Sequence, residues 1–296
     1  MYFGLLSAGI LVSFFLFGLL NQKHGQPWAM TMLSLVLSLL LGFVFANAGY
    51  CLLLADTELF GYGLESLLSF MPYEFSVFCG ALGVVLGVFL SARIFRCFSL
   101  DLMDRFAPIG ALILSFIRFG EYTLGTLGAG PMIPETHYLA RFPWGLPNSF
   151  GEWHVAICVF EGVLALLCGV CFLLFYCLPP QKKEGSTFRW TVFFLALPQI
   201  LCESLRARCM KWGFVRIEQL LCGLLILFLV CMACRRRTQA KPQRRFLPVA
   251  GTVLAILLVV FVEFALDKLP LSTPLCYALM LLAMLFMTWM EWLATR

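Results

Sequence analysis

Charge is what this chain has least of. Aspartate, glutamate, lysine and arginine together make up 12% of its 296 residues, against about 25% in ordinary soluble domains. Polar residues are too few to cover a water-soluble surface: 61% of the chain is hydrophobic and the mean hydropathy is +0.93. A soluble domain and a nucleic-acid-binding module are excluded on that ground. Sustained alternation of polar and apolar residues is also missing, which excludes a transmembrane barrel and leaves helices, since only these two structures satisfy every backbone group in lipid. Histidine occurs three times, as His24, His137 and His154, too sparsely spaced for a clear metal site.

Apolar runs near the about 20 residues that a bilayer demands are plentiful. They fall at about 2–20, 28–54, 74–92, 106–117, 155–178, 190–205, 217–234, 246–266 and 275–292. The expected fold is therefore all-α, a polytopic transmembrane helical bundle of about nine spans. The fourth and sixth runs are short and end in charged or proline-containing sequence, so one or both are expected to be broken or buried in protein. The first run, "YFGLLSAGILVSFFLFGLL", has no basic residue before it and no small-residue cleavage site after it, so it reads as a span rather than a removable leader. Thirteen cysteines lie mostly inside apolar runs, where free cysteine behaves as a small hydrophobe. "CMAC", Cys231 to Cys234, has no second pair or nearby histidine, so no metal is expected there.

Lysine and arginine set the orientation. With the N-terminus outside, the inner side receives Lys23, Arg93, Arg96, Arg105, Lys182, Lys183, Arg189, the six cations of "RRRTQAKPQRR" and Arg296. The outer loop after the second run carries Asp56, Glu58 and Glu65, in agreement. The basic stretch at 235–245 reads as an anchor attracted to anionic lipid, and 118–154, rich in proline, glycine and tryptophan, as an interfacial cap. Seven cations break the rule: Arg118, Arg141, Arg206, Arg208, Lys211, Arg216 and Lys268. Six of them fall in two outer segments. Short outer loops hold snorkelling arginines, yet such a cluster also fits an anionic lipid head group.

"SFIRFGEYTLGTLGAGP", 115–131, places Arg118 and Glu121 three residues apart before a glycine-rich turn. That turn lacks the lysine and serine or threonine of a P-loop. Arg118 and Glu121 would share one helix face, and the plainer reading makes them a simple pair. The sharper reading lets Arg118 bind phosphate through its planar fork and places a desolvated Glu121 to take a proton, because ionisable groups near lipid mark substrate paths. Glu203 and Arg206 repeat the spacing in "LPQILCESLRARCMKWGFVR", 197–216, beside Arg208. His154, next to Glu152 and Trp153, is a weaker candidate acid or base.

Several stretches resemble the bacterial prolipoprotein diacylglyceryl transferase family over roughly residues 1–234. "DLMDRFAPIGALILSFIRFGEY", 101–122, is similar to the run into the family signature, with Arg118 at the signature arginine. "FSVFCGALG", 75–83, resembles the stretch of the family histidine, "NAGY" that ending in Tyr50, and "ILCESLRA" the Arg-x-x-x-Glu-x-x-Arg segment. Here Glu121 replaces an asparagine, Cys79 the histidine, Gln199 an arginine and Phe3 a tyrosine, and the histidine-proline pair before the fifth run is missing. The resemblance implies a transferase-like core at 1–234 with the outer cap, followed by two extra spans at 246–296. It implies catalytic Glu121 and Glu203; substrate-binding Arg118, Arg206, Arg208, Gln199 and Tyr50; no metal or cofactor; and a bacterial cytoplasmic membrane location. Implied partners are a phosphatidylglycerol-like anionic phospholipid and preprolipoprotein signal peptides, with no nucleic acid. The open alternative is a non-catalytic lipid-binding or lipid-transport protein on the same fold.

The charge asymmetry predicts that green fluorescent protein fused after Ala240 fluoresces and that alkaline phosphatase fused after Gly130 is active. The reverse pattern would invert the orientation.

Overall fold

A computed structural model describes residues 1–53, 75–178, 184–236 and 242–295. Among them are nine α-helices: α1 (Tyr2–Lys23), α2 (Trp28–Leu53), α3 (Val77–Ile94), α4 (Ser99–Glu121), α5 (Ile157–Cys177), α6 (Ser186–Leu205), α7 (Ile217–Arg235), α8 (Pro242–Lys268) and α9 (Thr273–Thr295). Seven are long and apolar enough to cross a membrane, α4 and α6 being the exceptions. The protein is a polytopic helical membrane bundle. Asp56, Glu58, Glu65, Lys182, Lys183 and part of the basic stretch lie outside the described residues. The chain divides into two compact units, Met1–Val192 and Phe193–Arg296.

In the first unit, α1, α2, α3 and α4 share a core of Phe14, Phe17, Met30, Val88, Leu102, Phe106 and Ile109. Phe17 and Phe106 meet edge to face at 5.4 Å, a geometry that suits the aromatic quadrupoles. Helices α2 and α3 approach so closely that a Cβ on Gly83 would collide with the Leu41 carbonyl oxygen, and one on Gly87 would lie 2.6 Å from the Ser38 nitrogen. Across this seam Ser34 and Ser91 share a hydrogen bond of 2.5 Å, and the Ser38 hydroxyl donates to the Val84 carbonyl at 3.1 Å. Small residues replace a hydrophobic driving force that lipid cannot supply between helices.

Helices α4 and α6 are continuous rather than broken, although each contains a proline, Pro108 and Pro198, and α4 follows the other expectation, with most of its residues buried in protein. The charges that cut the apolar run of α4 are satisfied by one local and several distant partners. Arg105, 1% exposed, donates to Asn21 Oδ1 at 3.0 Å and to Asp101 Oδ2 at 2.5 Å. Asp104 accepts from the backbone N–H groups of Gly185 at 2.6 Å and Phe188 at 2.7 Å, filling orphan donors at the start of α6. The polar residues that shorten the apolar signal thus join α4 to α1 and α6.

The cap is more ordered than the sequence indicated. After α4 a 3₁₀ segment, Tyr122–Gly128, leads into β1 (Ala129–Ile133), β2 (Gly145–Pro147) and β3 (Trp153–Ala156). These form an antiparallel sheet in the order β1–β3–β2. Strand β3 runs straight into α5, so the sheet fixes where α5 begins.

The seam between α2 and α3 predicts that Gly83→Ala costs about 1–3 kcal/mol, the range for overpacking. Gly4→Ala, where nothing lies within 4 Å, is the control. Denaturant titration in detergent micelles checks the difference.

Candidate functional site

The first unit gathers three buried charges at the end of α4. Arg118 occupies its last turn, and its Nη1 donates to Glu121 Oε1 at 2.6 Å. On the other side, Arg118 Nε lies 2.8 Å from Glu161 Oε2. Arg118 is 3% exposed, Glu121 3% and Glu161 5%. One guanidinium therefore stands between two carboxylates, sequestered from water where charge interactions are strong and desolvation is costly.

Local sequence explains the arrangement. The i,i+3 spacing puts Glu121 on the Arg118 face, and Glu161 sits in the second turn of α5, near the helix end that favours negative charge. Phe119 packs against Gly162, where a Cβ would fall 2.6 Å from the ring, and Leu112 against Gly169. These contacts hold α4 beside α5. The Tyr2 ring packs on Gly120, 2.9 Å from where a Cβ would stand, and feels the charges of Glu121 and Arg118. A buried tyrosine thus stands at the start of α1, one residue before the Phe3 expected in its place; Phe3 itself is 51% exposed.

Of the other candidates in this unit, Tyr50 is half-buried on α2. Its neighbour Gly49 has no room for a Cβ because the Cys79 side chain fills that space, so the two stretches do meet. His154 is held on the cap, its Nδ1 3.0 Å from the Gly130 carbonyl. His137 Nδ1 accepts from the Leu139 N–H at 3.2 Å, and His24 Nε2 meets Tyr176 at 3.0 Å. None of these histidines hydrogen-bonds to the Arg118 cluster through the bonds just given.

The second unit builds its own charged cluster at the end of α6. Glu203 and Arg206, both buried, are paired at 3.6 Å, and Gln199 Nε2 donates to Glu203 Oε2 at 3.4 Å. Strands β4 (Lys211–Trp212) and β5 (Val215–Arg216) make a hairpin whose turn carries Gly213 at φ 62°, a left-handed conformation suited to glycine. Arg216 reaches back from it: Nη1 donates to the carbonyls of Glu203 at 2.5 Å and Arg206 at 2.9 Å, and its Nε to Glu263 Oε2 at 3.2 Å. Gln219 Nε2 donates to Glu263 Oε1 at 3.0 Å and to the Ile200 carbonyl at 2.9 Å. Arg208, expected with the binding residues, is exposed and outside this buried network. Cys209 Sγ lies 3.0 Å from Arg216 Nη1; burial pushes its thiol pKa up and Arg216 pulls it down, for a net rise. That thiol is a poor nucleophile at neutral pH. Among the described residues, no three His, Cys, Asp or Glu side chains gather to hold a metal.

Residues 1–235 match the family model described as prolipoprotein diacylglyceryl transferase. The chain belongs to that family. Proteins from Clostridium botulinum strain Langeland (type F) and strain Hall (type A), both named phosphatidylglycerol–prolipoprotein diacylglyceryl transferase, are each 24% identical over 140 residues, covering 46% of this chain and 54% of the relative. The chain spans about half the length of the curated relatives it matches. No solved structure matches. Both charged clusters lie within the transferase-family residues except for Glu263, on α8.

The sequence pairs Arg118 with Glu121 and Glu203 with Arg206, and the structure adds to these charged groups Glu161 and Glu263. Each is a lone carboxylate inside an apolar run, which is itself the signal: an acid in a membrane span is a functional candidate by default. Gln219 and the inward reach of Arg216 left no such mark.

Removing Arg118 while leaving its two buried carboxylates predicts a loss of about 3–5 kcal/mol for Arg118→Ala. Most of it should return when Glu121→Gln and Glu161→Gln are added. Unfolding titrations of the single and triple variants in micelles measure both.

Proposed function

We propose that this protein moves the diacylglyceryl group of a phosphatidylglycerol-like lipid onto the thiol of a lipobox cysteine in a preprolipoprotein signal peptide, or a related acceptor, at the bacterial cytoplasmic membrane. The observation that carries this reading is a buried arginine between two carboxylates, Arg118 with Glu121 and Glu161, in residues that match the transferase family. The names of the relatives state the same reaction for those proteins.

In that reaction the acceptor sulfur bonds to a glyceryl carbon and the carbon–oxygen bond to phosphate breaks. Glycerol phosphate leaves with the electron pair, and the thiol proton passes to a base. A free thiol has a pKa of about 8.5, so a nearby base speeds its attack. Arg118 takes the leaving phosphate by exchanging Glu121 for substrate oxygen while Glu161 keeps it in place. Glu121, released, is then the base. Tyr50, in the same unit, contributes a polar contact to substrate. In the second unit Arg206, with Glu203 and Gln199 beside it, offers a charged group of its own to an anionic lipid phosphate, with Glu203 as an alternative base there. Exposed Arg208 attracts the anionic head group from outside.

A non-catalytic lipid-binding protein is the second reading. One feature favours it: Cys79, at the position the resemblance gives to the family histidine, packs against Gly49.

Purified protein in vesicles containing phosphatidylglycerol and a lipobox peptide is expected to release glycerol phosphate. Glu121→Gln should slow release by about 10²-fold or more, the usual loss of a general base. Tight lipid binding with no release by the native protein would establish the second reading and end the first.

A further inference from the structure

The last two helices lie beyond the 235 residues that match the family, yet one of them reaches the charged network at the end of α6. Glu263 stands on α8, 4% exposed, and its carboxylate is divided between two partners. Oε2 accepts from Arg216 Nε at 3.2 Å and Oε1 from Gln219 Nε2 at 3.0 Å. Arg216 in turn spends Nη1 on the carbonyls of Glu203 and Arg206 at and just past the C-terminal end of α6, the first of which also accepts from the Arg206 N–H at 3.3 Å. Phe214 of the hairpin stacks edge to face on Phe264 of α8 at 5.2 Å. An acid, a guanidinium and a helix end thus form one connected chain, Glu263 to Arg216 to the backbone that carries Glu203 and Arg206.

From this connection we propose that Glu263 is a positioning residue: α8 braces Arg216 so that the end of α6 presents Glu203 and Arg206 in one fixed geometry. The proposal rests on the transferase reading for its effect on turnover but not for the brace itself. Three physical points support it. A buried carboxylate demands hydrogen-bonded cations or donors, and Glu263 finds both on residues flanking the site. Arg216 cannot lose its charge, so removing Glu263 leaves a guanidinium only 13% exposed with its Nε donor unanswered and the hairpin free to shift. Gln219 anchors the same carboxylate to the Ile200 carbonyl, one turn before Glu203. Helix α8 is therefore part of the site's support rather than an added anchor.

Hydrogen–deuterium exchange and turnover of Glu263→Gln, in the full-length protein in vesicles, test this together. The brace predicts that backbone amides of 206–217 exchange faster by about tenfold, while those of 112–121 are unchanged. It also predicts a drop of about tenfold in glycerol phosphate release that does not deepen in an Arg206→Gln background, since a residue acting through Arg206 cannot cost more once Arg206 is gone. A merely structural role gives additive losses instead. Unchanged exchange at 206–217 overturns the brace; faster exchange with unchanged or additive turnover overturns the positioning role. If the native protein releases no glycerol phosphate, the transferase reading fails, and the exchange result alone still decides the brace.

Discussion

A guanidinium cannot stay buried unless its charge is answered, and Arg118 is answered twice. Glu121 arrives from the same helix turn and Glu161 from the start of α5, so the pairing ties the end of α4 to the beginning of α5. The cap between them has to return the chain to that point, and β3 does so by leading straight into α5. Tyr2 closes the group from α1 against Gly120. Breaking this cluster would leave a buried charge of one sign or the other, which is far more costly than losing a surface pair. In the proposed reaction, a phosphate entering there would replace a carboxylate without leaving the arginine unanswered.

Much of the bundle was legible in the sequence, because long apolar runs have no other stable fate in lipid. The extents of α4 and α6 were not. Asp101, Asp104 and Arg105 look like loop residues in one dimension, and besides the local Asp101–Arg105 pair it is Asn21 and the N-terminus of α6, far away in sequence, that make Arg105 and Asp104 tolerable inside a helix. The cap sheet was hidden for a different reason. Its strands have three to five residues among glycines and prolines, too short for an alternating pattern to register.

The candidate sites divide along the same line. Arg118 with Glu121, and Glu203 with Arg206, were visible because their spacing is local. Glu161 and Glu263 complete those groups from 40 or more residues away, so their partners are set by packing alone. Arg208, expected from its place among clustered cations, follows the end of α6 and is exposed, apart from the buried network. Both clusters lie inside residues 1–235, which match the family, except for Glu263, which joins one of them from α8.

The most direct measurement follows both halves of a doubly labelled phosphatidylglycerol, one label in the diacylglyceryl group and one in the head group, during incubation with a lipobox peptide. The account predicts that the diacylglyceryl label moves to the cysteine sulfur in equal amount to the head-group label released as glycerol phosphate, and that neither moves with Arg118→Ala. Release without transfer to the peptide, or transfer that survives loss of Arg118, would contradict it.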